Sequence, residues 1–329
     1  MSRIIQENRW RAARGIVAAL ALSTLLGACA QIEIAPHLRP LSGDAMMLLG
    51  KKGMNLQAPI FVRVFKEESE LEVWKQRDDD RYYLYKVYPI CNWSGSLGPK
   101  LRSGDRQAPE GFYTVSRDQM RPDSKHYLAF NLGFPNAYDK SNRRTGHALM
   151  VHGKCSSAGC YAMTDALMEE IYALAREAII GGQDNFHVHA FPFRMTQANM
   201  ARHSKSEWFA FWRTLKEGYD YFELTRQVPT IAVCNRRYVV NVSLPMQTVR
   251  MSPEGACPAF HRPTPSPFVP RPGEQYAETP VVAPGQKMRT TSVGLTPDFE
   301  RSGLTKAPGS GSWWWERALA KIGGTLSVK

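Results

Sequence analysis

The alternation of apolar and polar residues between positions 58 and 250 predicts a domain of mixed strands and helices. Short runs rich in β-branched and aromatic residues, bounded by Gly, Pro and Asp, are typical of strands. We expect strands at residues 59–65, 71–74, 82–88, 111–115, 126–132, 147–151, 186–191, 230–233 and 238–242. Two intervening segments, 94–110 and 135–146, are predicted to be loops, because Gly, Ser, Pro and charged residues dominate them.

Two helices are expected in the second half of this region. Thr164 or Asp165 can cap the first helix, whose apolar residues recur at helical spacing, and two glycines end it. Residues 204–207 have the spacing of a capping box and open the second helix, which Gly218 is expected to close. Strands and helices in this arrangement indicate an α+β fold.

The start of the chain differs from this domain. Four arginines precede an apolar run at residues 15–26, which is too short to span a bilayer, and Cys29 follows two small residues. This pattern predicts a signal peptide at residues 1–28 with Cys29 lipidated, as in a bacterial lipoprotein. An ordinary cleaved signal is the alternative. Ala30 after the cysteine favours the outer membrane, so we expect a periplasmic, lipid-anchored protein.

The remaining boundaries follow from composition. Residues 29–57 are expected to be a tether, 58–250 the folded domain, and 251–329 a disordered tail rich in Pro and Gly. Near its end, Trp313-Trp314-Trp315 indicates either a docking patch on the same domain or a contact with membrane or wall glycan.

The charge of the chain limits its partners. The formal charge is +12, and removal of residues 1–28, with four arginines and one glutamate, leaves +9. A basic exported protein is not expected to bind nucleic acid. Anionic wall polymers, lipid headgroups or carboxylate-rich peptides are better candidates.

The chain contains six cysteines. If Cys29 carries lipid, five are left in an oxidising compartment, so one must stay unpaired. Cys160 is the candidate for the free thiol. Cys91–Cys155 and Cys234–Cys257 are possible disulfides, although the sequence leaves their connectivity open.

The free thiol lies in the segment HGKCSSAGCYAMTD at residues 152–165. His152 could accept the proton of the Cys160 thiol, and a helix starting just after the cysteine would favour the thiolate. The backbone N–H groups of Gly159, Cys160 and Tyr161 are candidate oxyanion donors. A histidine and a cysteine packed near a disulfide, without chemistry, is the alternative interpretation.

Five stretches carry a resemblance to a known family: residues 108–113 (APEGFY), 133–139 (GFPNAYD), 152–153 (HG), 157–165 (SAGCYAMTD) and 189–195 (HAFPFRM). Through them the region resembles the L,D-transpeptidase catalytic domain (YkuD) family, and within it the YafK-like branch of murein transpeptidases and amidases. The resemblance implies a YkuD-like mixed β-sandwich or open barrel, with helices packed after the catalytic cysteine.

The resemblance also implies roles for individual residues. Cys160 matches the nucleophile, His152 the base, and Gly153 the residue whose backbone carbonyl orients that histidine. Ala158 and Met163 depart from the commoner family pattern, which has His and Arg there. Substrate contacts are therefore expected elsewhere, from Arg194 and Lys154 for a carboxylate, and from the group His189, Ser157, Tyr127 and Asn131.

The activity implied is acyl transfer on peptidoglycan stem peptides. Cys160 would form a thioester at meso-diaminopimelate and pass it to an amine, as a transpeptidase, or to water, as an amidase that releases a wall-linked outer-membrane protein. No metal or organic cofactor is implied. Two alternatives stay open: a non-catalytic wall-binding lipoprotein, and a zinc hydrolase that uses His187 and His189.

Overall fold

The computed structural model of this protein describes residues 33–246 and 250–270. The predictions for the signal peptide, for Cys29 and for Trp313–Trp315 lie outside these residues. The chain divides into two units, Met1–Leu38 and Arg39–Lys329. In the first, residues Pro36–Leu38 form a 3-10 turn. All elements described below belong to the second unit.

The described part of the second unit contains twelve strands and five α-helices. The strands are β1 Ile60–Phe65, β2 Glu70–Gln76, β3 Tyr82–Pro89, β4 Asn92–Trp93, β5 Gly111–Ser116, β6 Met120–Arg121, β7 Ala129–Asn131, β8 Met150–His152, β9 Tyr161–Ala162, β10 Asn185–Phe191, β11 Ile231–Cys234 and β12 Arg237–Val240. The helices are α1 Gly43–Lys51, α2 Ala137–Ser141, α3 Asp165–Ile180, α4 Gln197–Arg202 and α5 Phe209–Thr225.

The strands form two five-stranded sheets and a hairpin. The first sheet has the order β3-β2-β1-β10-β5, and the second has the order β4-β9-β8-β7-β6. Both sheets are mixed, because β1 pairs with β10 and β8 pairs with β9 in parallel, whereas their other pairs are antiparallel. The α+β prediction is confirmed, and among the described residues the sheets do not close into a barrel.

One buried core joins the two sheets to α3. The apolar face of α3, with Ile171 and Leu174, packs in the same cluster as Val62 of the first sheet and Val151 of the second. Thr164 accepts the Leu167 N–H and caps the helix, as its sequence predicts. Because α3 directly follows β9, this packing fixes the second sheet beside the helix.

Several elements are absent from the sequence prediction. Helix α1 lies in the predicted tether, where it buries Ala45 and Leu49, and α2 lies in the predicted 135–146 loop. Strands β4, β6 and β9 contain two residues each. A strand of two residues has too short a pattern to be recognised from alternation.

Helix α5 differs from its prediction at both ends. It begins at Phe209 after an N-cap residue, Trp208, whose side chain makes no capping bond, and it ends at Thr225. Gly218 is buried inside the helix instead of closing it. A Cβ atom at Gly218 would lie 2.6 Å from Cζ of Phe112, so the glycine lets a strand of the first sheet pack closely on the helix.

The described start of the predicted tail, residues 250–270, contacts the domain. Cys257 is disulfide-bonded to Cys234 on β11, and Ser243 forms a β-bridge with His261. The ring of Phe268 lies 5.6 Å from that of Tyr83 on β3. This portion therefore differs from the disordered tail expected from its composition. In the described part of the chain, no helix has the length and apolar character needed to cross a membrane.

Candidate active site

The parallel pair β8 and β9 positions the two predicted catalytic residues: His152 ends β8, and Cys160 comes directly before β9. The register pairs Val151 with Tyr161 and His152 with Ala162. One step earlier, Cys160 lies opposite Met150, whose backbone N–H donates to the thiol sulfur at 3.4 Å. Because side chains alternate along a strand, the side chains of Cys160 and His152 project from the same face of the second sheet.

His152 is held by the backbone of the next residue. Its Nδ1 atom lies 2.6 Å from the carbonyl oxygen of Gly153, and its side chain is buried. A carbonyl can only accept a hydrogen bond, so Nδ1 carries the proton and Nε2 keeps its lone pair. Burial lowers the pKa of His152, and the nearby His126 acts in the same direction, which favours the neutral base.

Position 153 accepts only glycine, because neighbouring atoms lie too close to leave room for a side chain. A Cβ atom there would lie 2.5 Å from Oδ1 of Asp165 and 3.0 Å from Cβ of Tyr127. The Gly153 N–H donates to the Leu128 carbonyl at 3.2 Å. Asp165 also accepts the Lys154 N–H at 2.7 Å. These contacts hold the carbonyl that orients His152.

Cys160 is a protonated thiol at neutral pH in this arrangement. Burial raises its pKa, and the Met150 N–H and the charge of Lys100 oppose that effect without cancelling it. The expected influence of a helix N-terminus is not seen, because β9 separates Cys160 from α3 and Thr164 caps that helix. Burial thus favours the uncharged form of both predicted catalytic side chains, Cys160 and His152.

Ser157 organises the turn that carries the nucleophile. Its hydroxyl oxygen accepts the N–H groups of Gly159 at 3.3 Å and Cys160 at 3.1 Å, and its hydroxyl donates to the Cys160 carbonyl at 2.7 Å. Two of the three N–H groups predicted as oxyanion donors are thus engaged within the turn. In this geometry Ser157 shapes the turn, and Tyr161 stays a predicted donor.

Both possible disulfides are formed. Cys91–Cys155 joins the chain before β4 to the segment after His152, and Cys234–Cys257 joins β11 to residues 250–270. Cys160 is the free cysteine of the described region. Since the Cys91 N–H donates to the Ala162 carbonyl on β9, the first disulfide ties together both strands of the candidate site.

The structure does not support Arg194 as a substrate ligand. Its guanidinium donates to Glu72 at 2.7 Å and to Glu70 at 2.6 Å, so both of its terminal nitrogens are engaged by carboxylates of β2. These two charges raise the pKa of Arg194 despite its burial. An arginine paired with the buried Glu72 and the half-buried Glu70 is not available for a substrate carboxylate.

His189 is likewise not placed as a substrate contact. Its ring packs against Phe61 and Phe112 with centroids 4.7 Å and 4.6 Å apart, and only 1% of the residue is exposed. Neither ring nitrogen has a hydrogen-bond partner. Burial lowers its pKa well below the ordinary histidine value, with His187 and Arg63 acting in the same direction, so His189 is a neutral core residue.

The other predicted contacts lie nearer to His152. Tyr127 donates to Glu169, and Asn131 accepts the Gly133 N–H through its side chain at 2.9 Å. Lys154 is exposed, and its side-chain Nζ donates to the Lys125 carbonyl at 2.7 Å. Tyr127 precedes β7 and Asn131 ends it, and β7 pairs with β8, so both remain predicted lining residues of the cleft.

The described residues around His187 and His189 do not provide the ligands of a zinc site. Among residues 33–246 and 250–270, no group of three or more His, Cys, Asp or Glu could hold a metal ion. His187 instead lies 3.5 Å from the Thr114 hydroxyl on the neighbouring strand.

Sequence reasoning missed two charged residues beside the site. Asp165 was considered only as a helix cap, yet its side chain packs on Gly153. Lys100 lies in a predicted loop, is buried, forms an ion pair with Asp105 and acts electrostatically on Cys160. A buried lysine in a loop gives no periodic signal, so only the folded chain reveals it.

Comparison of the sequence with known proteins identifies its relatives. The family model for the L,D-transpeptidase catalytic domain (YkuD) matches residues 61–180, which include His152 and Cys160. Proteins named "Putative L,D-transpeptidase YafK" from Escherichia coli K12 and O157:H7 are each 44% identical over 232 residues, which is 70% of this chain and 93% of theirs.

Two solved structures also align with the fold. The helical cell shape determining protein Pgp2 from Campylobacter jejuni is 17% identical, with a TM-score of 0.33 over 60% of this chain and 80% of that chain. Bd1075 from Bdellovibrio bacteriovorus is 22% identical, with a TM-score of 0.29 over 50% and 60%. The sequence relationship to the YafK proteins is far stronger, and it confirms the resemblance carried by the motifs: this chain belongs to the L,D-transpeptidase catalytic domain (YkuD) family.

Proposed function

We propose that this protein is a cysteine acyltransferase that acts on peptidoglycan stem peptides through a Cys160 thioester. The observation that carries the proposal is the Cys160, His152 and Gly153 arrangement on β8 and β9. Family membership supports the substrate class. The attacked carbonyl is that of the L-centre of meso-diaminopimelate, as the family resemblance implies.

The neutral resting pair defines the first step. As Sγ of Cys160 bonds to the substrate carbonyl carbon, Nε2 of His152 takes the thiol proton. The C–N bond then breaks, and the leaving amine receives that proton from His152. This leaves a thioester and a neutral histidine. The hydrogen bond from Nδ1 to Gly153 stabilises the imidazolium formed between these events.

The acceptor in the second step determines whether the reaction is transpeptidation or hydrolysis. His152 takes a proton from the acceptor as it attacks the thioester carbon. The C–S bond then breaks, and His152 returns the proton to Sγ, which regenerates the Cys160 thiol. An amine acceptor gives transpeptidation. Water gives hydrolysis, and would release a protein attached to the stem peptide. We take transfer to an amine as the primary reaction, and we place the protein in the periplasm with Cys29 lipidated.

Incubation of purified protein with muropeptides, and separately with protein-linked muropeptides, tests this function. Mass spectrometry is expected to show new cross-links together with a thioester adduct on Cys160. Released tripeptide ends and free protein, without new cross-links, would assign hydrolysis instead. Unchanged substrates and no adduct would leave a non-catalytic wall-binding protein. Cys160→Ala is the control, and activity that survives this change but is lost to a chelator would indicate a zinc hydrolase.

A further inference from the structure

Two basic loops border the thiol of Cys160. The first covers residues 100–107, and the second covers residues 140–148, of which the first two residues are the end of α2. They are joined to each other, since the Thr145 N–H donates to the Leu101 carbonyl at 3.0 Å and the Ser103 N–H donates to the Thr145 hydroxyl at 3.2 Å.

Both loops reach the nucleophile turn. A Cβ atom at Gly159 would lie 3.6 Å from the Gln107 carbonyl oxygen and 4.0 Å from the Arg106 carbonyl carbon. From the second loop, the Ala148 carbonyl lies 3.8 Å from the Cys160 sulfur. A ligand bound at Cys160 therefore has these loops as its neighbours on one side.

Asp105 and Asp139, the acidic residues in and beside these loops, pair with groups inside the protein. Asp105 pairs with Lys100 and accepts the N–H groups of Leu101, Arg102 and Gln107. Asp139, in α2 directly before the second loop, is fully buried and pairs with Arg144 at 2.9 Å. Neither carboxylate neutralises the outer surface.

Four cations remain on that surface. Arg102, Arg106, Lys140 and Arg143, here termed the cationic rim, are exposed, and their side chains have no ion-pair partner in the described part of the chain. Arg106 and Arg143 have φ angles of +52° and +58°, a left-handed conformation that costs an arginine about 1 kcal/mol relative to glycine.

We propose that the cationic rim binds carboxylates of the stem peptide on either side of the bond that Cys160 attacks. This proposal rests on the proposed function and names the recognition element that Arg194 does not supply. Guanidinium groups suit carboxylates because they can donate two parallel hydrogen bonds. Exposed charges also attract an anionic peptide over about 8–10 Å at physiological salt.

The test uses the full chain with Cys160→Ala, which binds peptide without turning it over. The rim variant adds R102Q/R106Q/R143Q. The control adds K51Q/R117Q/K205Q, which removes the same charge from exposed positions outside both loops. Each protein is titrated with L-Ala–D-Glu–meso-diaminopimelate–D-Ala and with the same peptide bearing carboxamides in place of its carboxylates.

We expect the rim variant to bind the carboxylate peptide about tenfold more weakly than the control, as the loss of three exposed ion pairs implies. Its preference over the carboxamide peptide should disappear. In the proteins with Cys160 intact, KM should rise while kcat stays unchanged.

Equal binding of the carboxylate peptide by the rim and control variants would overturn the proposed role of the cationic rim, while the proposed function would still stand. No binding of either peptide by the control would overturn both. If the rim variant binds the peptide as well as the control but binds anionic vesicles more weakly, the cationic rim binds lipid and not the stem peptide.

Discussion

The Asp165 carboxylate accepts the backbone N–H of Lys154 at 2.7 Å, which connects the first turn of α3 to the segment just after His152. The same oxygen faces Gly153, where it would lie 2.5 Å from a Cβ atom. Asp165 therefore helps to set the position of the Gly153 carbonyl that fixes the tautomer of His152.

Asp165→Ala is expected to lower kcat by about 10- to 100-fold, because small errors in the position of a catalytic base have effects of that size. Asp165→Asn should retain most of the activity, since its amide oxygen can still accept the Lys154 N–H. Turnover at saturating muropeptide measures the effect, and Asp184→Ala, at an exposed position after α3, is the control. Equal kcat for the alanine variant and the native protein would contradict this positioning role.

The pH profile should reflect the neutral resting pair. Burial and His126 lower the pKa of His152 from its ordinary value of 6.5. Activity requires neutral imidazole, so it is present above the folded-state pKa and falls as pH drops through it. The acidic limb of kcat/KM is therefore expected to have its midpoint below 6.5. A midpoint at or above that value would show that His152 is not the base, or that it is not buried in solution.

The reactivity of Cys160 offers a second pH measurement. Burial raises the pKa of its thiol above the ordinary cysteine value. The thiolate is the nucleophile toward iodoacetamide, so alkylation of the free enzyme should rise only at alkaline pH. Rapid alkylation at neutral pH would instead indicate a preformed thiolate–imidazolium pair.

The disulfide beside the site should affect both stability and activity. Cys91–Cys155 closes a sequence separation of 64 residues, and we expect the double alanine variant to lose about 2–4 kcal/mol of unfolding free energy. Its kcat should also fall, because the bond anchors the segment after His152. Urea unfolding and steady-state kinetics measure the two effects.

The second disulfide provides the matched control for this result. Cys234–Cys257 closes a separation of 23 residues and lies on the β11–β12 hairpin. Its double alanine variant should lose stability while keeping kcat. A similar fall of kcat in both variants would mean that general destabilisation, and not the anchoring of the site, causes the loss.

Gly218→Ala should destabilise the protein, although the same change in an exposed helix stabilises it by about 1 kcal/mol. The added methyl would lie 2.6 Å from Cζ of Phe112, and overpacking of this kind costs about 1–3 kcal/mol. Phe112→Leu in the same chain should recover part of that loss, because it removes the clashing ring atom. The double-mutant cycle is measured by chemical unfolding, and additive effects would contradict direct contact.

The sequence by itself determined the features that depend on neighbouring residues. Period-two alternation located the longer strands, and Thr164 or Asp165 located the start of α3, because capping is decided within a few positions. Five short motifs, two of them within residues 152–165, also indicated the family. Counting cysteines predicted one free thiol if Cys29 is lipidated, and the candidate Cys160 is the free cysteine of the described residues. The possible pairs Cys91–Cys155 and Cys234–Cys257 are those that the folded chain forms.

Tertiary structure decided the features that depend on residues distant in sequence. Arg194 was a reasonable substrate ligand until the fold placed it against Glu72, a residue 122 positions away. Burial, which no local pattern records, raised the pKa of Cys160 and removed His189 from the cleft. The positive charge near the Cys160 thiol also depends on tertiary structure. The fold brings the loops at residues 100–107 and 140–148 together, and their acidic residues pair with groups inside the protein.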